Sequence, residues 1–150
     1  MRYLAIDLGD KRTGLALGDA VMKIASPAAV IEIPIDRREG QDLLDTIARA
    51  CDEHLGPGGE LVVGLPLNMD GSEGPRAKLV RAFAARVSER TGRVVHLQDE
   101  RRTSLRADER MARSGLTHGQ KKARRDAIAA AGFLQDFLDA LGTNAGDAQA

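Results

Sequence analysis

The sequence predicts one α/β domain, a mixed five-stranded sheet with helices on both faces. Three observations predict it. Short aliphatic runs separated by turn residues crowd the first third of the chain, as in a meander of antiparallel strands. From Arg38 onward, helical spacing alternates with short apolar runs, the pattern of β-α units whose strands lie parallel. No internal repeat, linker or low-complexity stretch divides the 150 residues, a length suited to one domain.

Arg2 to Leu8 alternates and is rich in aliphatics, so it reads as a strand. Gly9 to Thr13 is a turn, and Gly14 to Gly18 returns as a second strand, forming a hairpin. Ala28 to Ile33 is a third strand, entered after Pro27 and stopped by Pro34. Arg38 to His54 places Leu43, Leu44, Ile47, Ala48 and Cys51 at helical spacing, and Gly56-Pro57-Gly58-Gly59 ends it. Leu61 to Leu65 is an unbroken apolar run that suits a buried parallel strand. After a polar loop, Pro75 to Arg90 carries Leu79, Val80, Phe83, Ala84 and Val87 on one helical face. Arg93 to Leu97 is the next strand, and Thr103 to Arg113 a basic helix. Gln120 to Leu141 is a long helix with Ala123, Ile128, Ala131, Leu134, Leu138 and Leu141 inward. The domain is thus expected over residues 1–141, with 142–150, small and polar, as a disordered tail.

Composition narrows the class of function. A single cysteine, Cys51 on an apolar helix face, excludes an intramolecular disulfide and a thiolate zinc site, and fits a reducing compartment. No apolar run approaches the ~20 residues that span a bilayer, so no membrane partner is expected. The N-terminus reaches Asp7 too soon for a signal peptide and reads as the start of the fold. The net charge of zero hides an asymmetry. Arg101, Arg102, Arg106, Arg110, Arg113, Lys121, Lys122, Arg124 and Arg125 face only Asp108 and Glu109 as acids in that stretch. Such a block is either a solvated helix face or a phosphate-binding surface.

Three carboxylates occupy unusual settings. Asp7 lies at the end of an apolar strand, where a charge is costly unless paired or bound to a cation. Glu100 follows Val94-Val95-His96-Leu97-Gln98 at a strand's C-terminal end, the edge where ligands gather in open α/β sheets. Alternation puts Glu100 on the face of Val94, His96 and Gln98, and its competitor Asp99 on the other. Asp126 is the first acid in the long helix, whose Ala127, Ala129, Ala130 and Ala131 permit close approach to the sheet; its bland role is pairing with Lys122. Lys11 and Arg12, in the hairpin turn, read equally as phosphate ligands or solvated charges. The loop from Gly64 to Gly74, containing Asn68, leaves a buried strand and enters a helix, so its amides suit an anion; it is no Walker loop, lacking Gly-Lys-Ser/Thr. His54, His96 and His118 have no zinc spacing; His118 reads as a helix-capping loop residue or as a proton donor to a leaving group.

These stretches resemble the YqgF, or RuvX, family of bacterial ribonuclease H-like proteins. The resemblance rests on I-D-L-G-D-K-R-T-G at Ile6 to Gly14, V-V-G-L-P-L-N-M-D-G-S-E-G at Val62 to Gly74, D-E-R-R-T-S at Asp99 to Ser104 and D-A-I-A-A at Asp126 to Ala130. It implies a ribonuclease H-like fold, a cytoplasmic location and hydrolysis of phosphodiesters with divalent metal. By position, Asp7, Glu100 and Asp126 fall on the family's acidic residues, as catalytic groups and metal ligands. The family has been labelled a Holliday junction resolvase by analogy with RuvC, and is more often described as a nuclease maturing the 5′ end of pre-16S ribosomal RNA. Two departures stand out: Arg102 replaces the usual leucine after D-E-R, and Ala129 stands where RuvC-type resolvases carry a further aspartate.

The leading expectation is a nuclease using Mg²⁺ or Mn²⁺, as one ion or as a pair ~3.5–4 Å apart, on RNA in preference to branched DNA, within a ribosomal precursor particle. Hard cations prefer oxygen ligands, which three carboxylates supply. Lys11, Arg12, Asn68, Arg101, Lys122 and Arg125 are the candidate substrate-binding residues. A non-catalytic RNA-binding assembly factor is the rival, reading backbone and shape, since 3% aromatics leave little for base stacking. A sugar-kinase or actin-like ATPase shares the D-L-G hairpin but needs two such domains around its nucleotide. No dominant apolar patch announces a dimer.

Overall fold

The computed structural model describes residues 1–101 and 118–149, with side chains for 1–101 and 124–141. The helix expected at Thr103 to Arg113 lies outside the described residues. Five strands, β1 (Arg2–Leu8), β2 (Thr13–Asp19), β3 (Ile24–Ile31), β4 (Glu60–Leu65) and β5 (Val95–Asp99), form one sheet in the order β3-β2-β1-β4-β5. The β1-β2 and β2-β3 pairs are antiparallel; β1-β4 and β4-β5 are parallel. This is the mixed sheet that the sequence pattern predicts.

Helices α1 (Gln41–Leu55) and α2 (Pro75–Thr91) cover one face, and α3 (His118–Gln149) covers the other. The strand period of two sorts the side chains between them. Leu4, Ile6, Leu8, Leu15, Leu61 and Val63 point to α1 and α2 and meet Leu43, Ile47, Val80 and Phe83. Tyr3, Ala5, Ala16 and Val62 point the other way and meet Ala130, Phe133, Leu134 and Leu138 of α3. Two cores therefore sandwich one sheet. Cys51 is fully buried in the first, as its helix face predicts.

Several boundaries differ from the sequence pattern, each for a local reason. Strand β3 starts at Ile24, ahead of Pro27, although proline donates no ladder hydrogen bond. It is tolerated because β3 is an edge strand, and the register shifts beside it, between Leu15 and Ala16. Helix α1 begins at Gln41 rather than Arg38, because Arg38 (φ 50°), Glu39 (φ 57°) and Gly40 (φ 87°) form a left-handed turn. That conformation costs ~1–2 kcal/mol per residue with a side chain. It is held by Arg86, which donates to Glu39 O at 2.8 Å, and by Arg38, which donates to Asp42 at 2.9 Å. Helix α3 runs past Leu141 to Gln149, through a stretch free of proline. Strand β5 runs to Asp99, two positions beyond the expected Leu97, which delivers Glu100 directly from the strand end. Among the described residues, no helix is long and apolar enough to cross a membrane.

Candidate active site

The site is built on one row of residues crossing the sheet near the C-terminal ends of β1, β4 and β5. Gly14 on β2 pairs with Asp7 on β1. One step beyond the paired Ile6 and Val63, Asp7 lies beside Gly64 of β4, which pairs in turn with Gln98 of β5. Asp7 continues the Tyr3-Ala5 alternation, so its carboxylate faces α3. It stands between two glycines, and each glycine opens room for another acid. A Cβ on Gly14 would lie 2.1 Å from the backbone oxygen of Asp126, so α3 rests directly on that glycine. A Cβ on Gly64 would lie 2.6 Å from Glu100 Oε2 and 2.7 Å from the Phe133 ring. The missing side chains thus bring Asp126 and Glu100 to either side of Asp7.

Electrostatics report the same crowding. The Asp7 carboxyl is pushed up to about 8 by burial, then by the charges of Glu100 and Asp126 and a hydrogen bond with Glu100, with Arg76 opposing. Glu100 is raised by burial and by Asp99, against the Asp7 hydrogen bond and Arg76. Asp126 is raised by burial, with Arg12 and Arg125 opposing. Asp7 and Glu100 share a hydrogen bond, so one proton serves two carboxyl groups, the response of like charges held close in a dry setting. Among the described residues, no three His, Cys, Asp or Glu side chains are drawn into a ready-made metal cage. The donor set nonetheless fits a hard divalent cation: it is all oxygen and carries excess negative charge that burial penalises.

The remaining candidates take distinct places. Arg12 lies close enough to act on Asp126, and Lys11 is exposed on the same turn. Arg125 acts on Asp126 from an exposed place one residue earlier on α3; the side chain of Lys122 lies outside the described residues. Arg101 is heavily engaged: it donates to Asp99 Oδ2 through Nη2 (2.7 Å) and Nε (2.9 Å), and to Met69 O (3.2 Å). It therefore ties the loop after β4 to the end of β5. Asn68 donates to Ser72 Oγ at 3.0 Å and closes that loop on itself. His118 has its backbone at the start of α3, and its side chain lies outside the described residues. His96, on the α3 face, meets Glu60 at 2.8 Å and packs against Tyr3 and Phe137, a structural employment. A cleft of about 420 Å³, lined by Met69, Gln98, Asp99, Arg101 and Asp136, opens at the β5 end of the row.

Sequence reasoning missed Arg76. It sits behind Pro75 in the first turn of α2, where no acidic residue is present. Its Nη2 donates to Leu8 O at 2.7 Å, and its Nη1 donates to Asp10 Oδ1. Its charge opposes the raised pKa of both Asp7 and Glu100. A signal was available: a helix N-terminus disfavours a cation, so an arginine there implies negative charge close by.

A family model described as "RuvX: Holliday junction resolvase" matches residues 1–140. A relative from Anaeromyxobacter sp. (strain Fw109-5) is 43% identical over 139 residues, spanning 93% of this chain and 97% of its own. One from Chloroflexus aurantiacus (strain ATCC 29366 / DSM 635 / J-10-fl) is 39% identical over 142 residues, spanning 94% and 88%. Both bear the name "Putative pre-16S rRNA nuclease". Among solved structures, T. thermophilus RuvC in complex with a Holliday junction substrate superposes with a TM-score of 0.60 at 16% identity, covering 95% of this chain and 96% of that one. At that identity the likeness is one of fold, and it bears out the ribonuclease H-like architecture.

Proposed function

The chain belongs to the RuvX family and is a hydrolytic nuclease; from that premise we propose that it cleaves RNA with a divalent metal, processing the 5′ end of pre-16S ribosomal RNA. The observation that carries the metal dependence is the Gly14-Asp7-Gly64 row. Two glycines admit Glu100 and Asp126 beside a buried Asp7 whose carboxyl is raised to about 8. A fold does not gather such acids for stability, since buried like charges are costly unless compensated. Asp7, Glu100 and Asp126 would hold the cation, Mg²⁺ or Mn²⁺. When bound, it supplies Lewis-acid polarisation of the phosphodiester.

The chain's own residues do the rest. Asp7 is fixed by its strand, Asp126 by the seat of α3 on Gly14, and Glu100 by its place over Gly64. The three carboxylates are thereby pre-positioned on rigid elements. Phe133, fully buried against the Gly64 backbone, excludes water from beneath the site. Lys11, Arg12 and Arg125 stand at the rim as phosphate contacts, with Lys122 a further candidate from its place in the sequence, while Arg101 and Asn68 shape the loop that borders the cleft. Residues 1–141 act as a single domain in the cytoplasm, on ribosomal precursor particles.

RNA is favoured by the name the relatives bear and by Ala129, one carboxylate fewer than a RuvC-type resolvase. Holliday junction resolution is the second reading, favoured by the family model's own description. The two separate when purified protein and Mn²⁺ are incubated with precursor ribosomal RNA, single-stranded RNA and four-way DNA junctions. Paired, symmetric cuts in the junction with intact RNA would overturn the first reading. Cleavage that persists in a pure Asp7→Asn sample would remove Asp7 from the reaction.

A further inference from the structure

Arg76 has two partners of different kinds. Leu8 O is a main-chain oxygen of β1, one residue from Asp7, so the Nη2 bond fixes the guanidinium against the strand that carries the site. Asp10 is a turn side chain, 81% exposed, while the Arg76 side chain is 35% exposed. The turn beneath Asp10 is itself held, because Ile35 N donates to Asp10 O at 3.0 Å. One side of Arg76 is therefore anchored, and the other meets an anion at the rim. Exposed ion pairs contribute little, so the Asp10 contact is readily exchanged. Arg–phosphate contacts are charge-assisted and commonly two-pronged. The Arg76 charge also acts on both Asp7 and Glu100, so an anion replacing Asp10 would sit on a guanidinium within electrostatic reach of the acidic row.

We propose that Arg76 binds a backbone phosphate of the substrate beside the acidic site, and that Asp10 occupies this phosphate position in the free protein and is displaced on binding. The proposal rests on the reading of the site as one that takes a nucleic-acid backbone. It makes Arg76 a substrate-positioning residue and Asp10 a built-in competitor. It also explains why a cation occupies the first turn of α2, since the guanidinium serves the neighbouring site rather than its own helix.

The test is a double-mutant cycle on the full chain, read as equilibrium binding of a fluorescent single-stranded RNA in EDTA across a salt series. Asp10→Asn should tighten binding about threefold by removing the competitor. Arg76→Met should weaken it roughly tenfold and reduce the slope of log K against log salt by about 0.7, one phosphate contact on a single strand. In the Arg76→Met background, Asp10→Asn should lose most of its effect. Equal tightening with and without Arg76 would mean a general charge effect and overturn the exchange, as would no tightening at all. If Arg76→Met fails to fold, Arg76→Lys replaces it: Lys keeps the charge and loses the fork, so the Asp10 effect should shrink, and an undiminished effect overturns the proposal. Mn²⁺-dependent cleavage is followed on the same samples. A binding cycle as expected without cleavage leaves the exchange standing and sinks the nuclease reading; cleavage with an uncoupled cycle does the reverse.

Discussion

Replacing Asp7 with asparagine should stabilise the ion-free protein at neutral pH, whereas most substitutions in a well-packed interior destabilise. The carboxyl is pushed from 3.8 to about 8 in the fold. The native state therefore holds its proton more tightly than the unfolded chain, and stability falls as pH rises between those two values. Each unit corresponds to ~1.4 kcal/mol, so at pH 7 the upper bound on the destabilisation is ~4 kcal/mol. Relaxation of the site and water entering beside Glu100 reduce it, leaving an expected gain of ~1–3 kcal/mol for Asp7→Asn. Asparagine is close in shape and removes the charge, so packing over Gly14 and Gly64 stays intact. The assay is urea denaturation in EDTA at pH 5, 6, 7 and 8. Wild type should lose stability steadily across the series, and the variant should lose less, because of the three acids only Glu100 and Asp126 remain to contribute. Adding Mn²⁺ should reverse the order, since an ion binding only the native wild type stabilises it by mass action. A variant less stable than wild type at pH 8 in EDTA, with no difference in pH slope, would refute the claim that Asp7 sits in a charge-strained cluster.

Two further outcomes follow from the packing of α3 on the sheet. Gly64→Ala should cost ~1–3 kcal/mol and abolish metal-dependent cleavage, because its Cβ would meet Glu100 Oε2 at 2.6 Å and the Phe133 ring at 2.7 Å; wild-type turnover with unchanged melting would contradict the row described above. Phe133→Ala, at the fully buried centre of the second core, should cost ~3–5 kcal/mol in denaturant titration. A cost under ~1 kcal/mol would mean that α3 does not depend on this side chain for its seat.

The local pattern carried much of this protein. Alternation in Arg2 to Leu8, the unbroken run Leu61 to Leu65 and the helical spacing in Leu43 to Cys51 each specify an element, because side-chain burial follows the backbone period. Alternation along β5 also placed Glu100 on the face of His96 and Gln98, and the I-D-L-G and D-E-R stretches singled out the acids. Boundaries were less legible where tertiary context overrode propensity. Pro27 lies within β3 only because that strand is an edge, and Arg38 and Glu39 adopt left-handed backbone only because Arg86 and Asp42 hold them.

What the sequence by itself determined is the class of elements and their order, since these depend on near neighbours; Asp7, Glu100 and Asp126 entered as candidates through the motifs that carry the family resemblance. The tertiary structure alone decided how the acids meet. Gly14 and Gly64 are distant in sequence and flank Asp7 only after parallel β4 docks beside β1. Their value lies in side chains they lack, which no spacing rule detects. The role of Arg76 likewise required α2 to point its first turn at the end of β1, a contact between residues 68 positions apart. Charge pairing at that range is settled by packing, because the energy of bringing an arginine to buried carboxylates depends on distance and burial rather than on order along the chain.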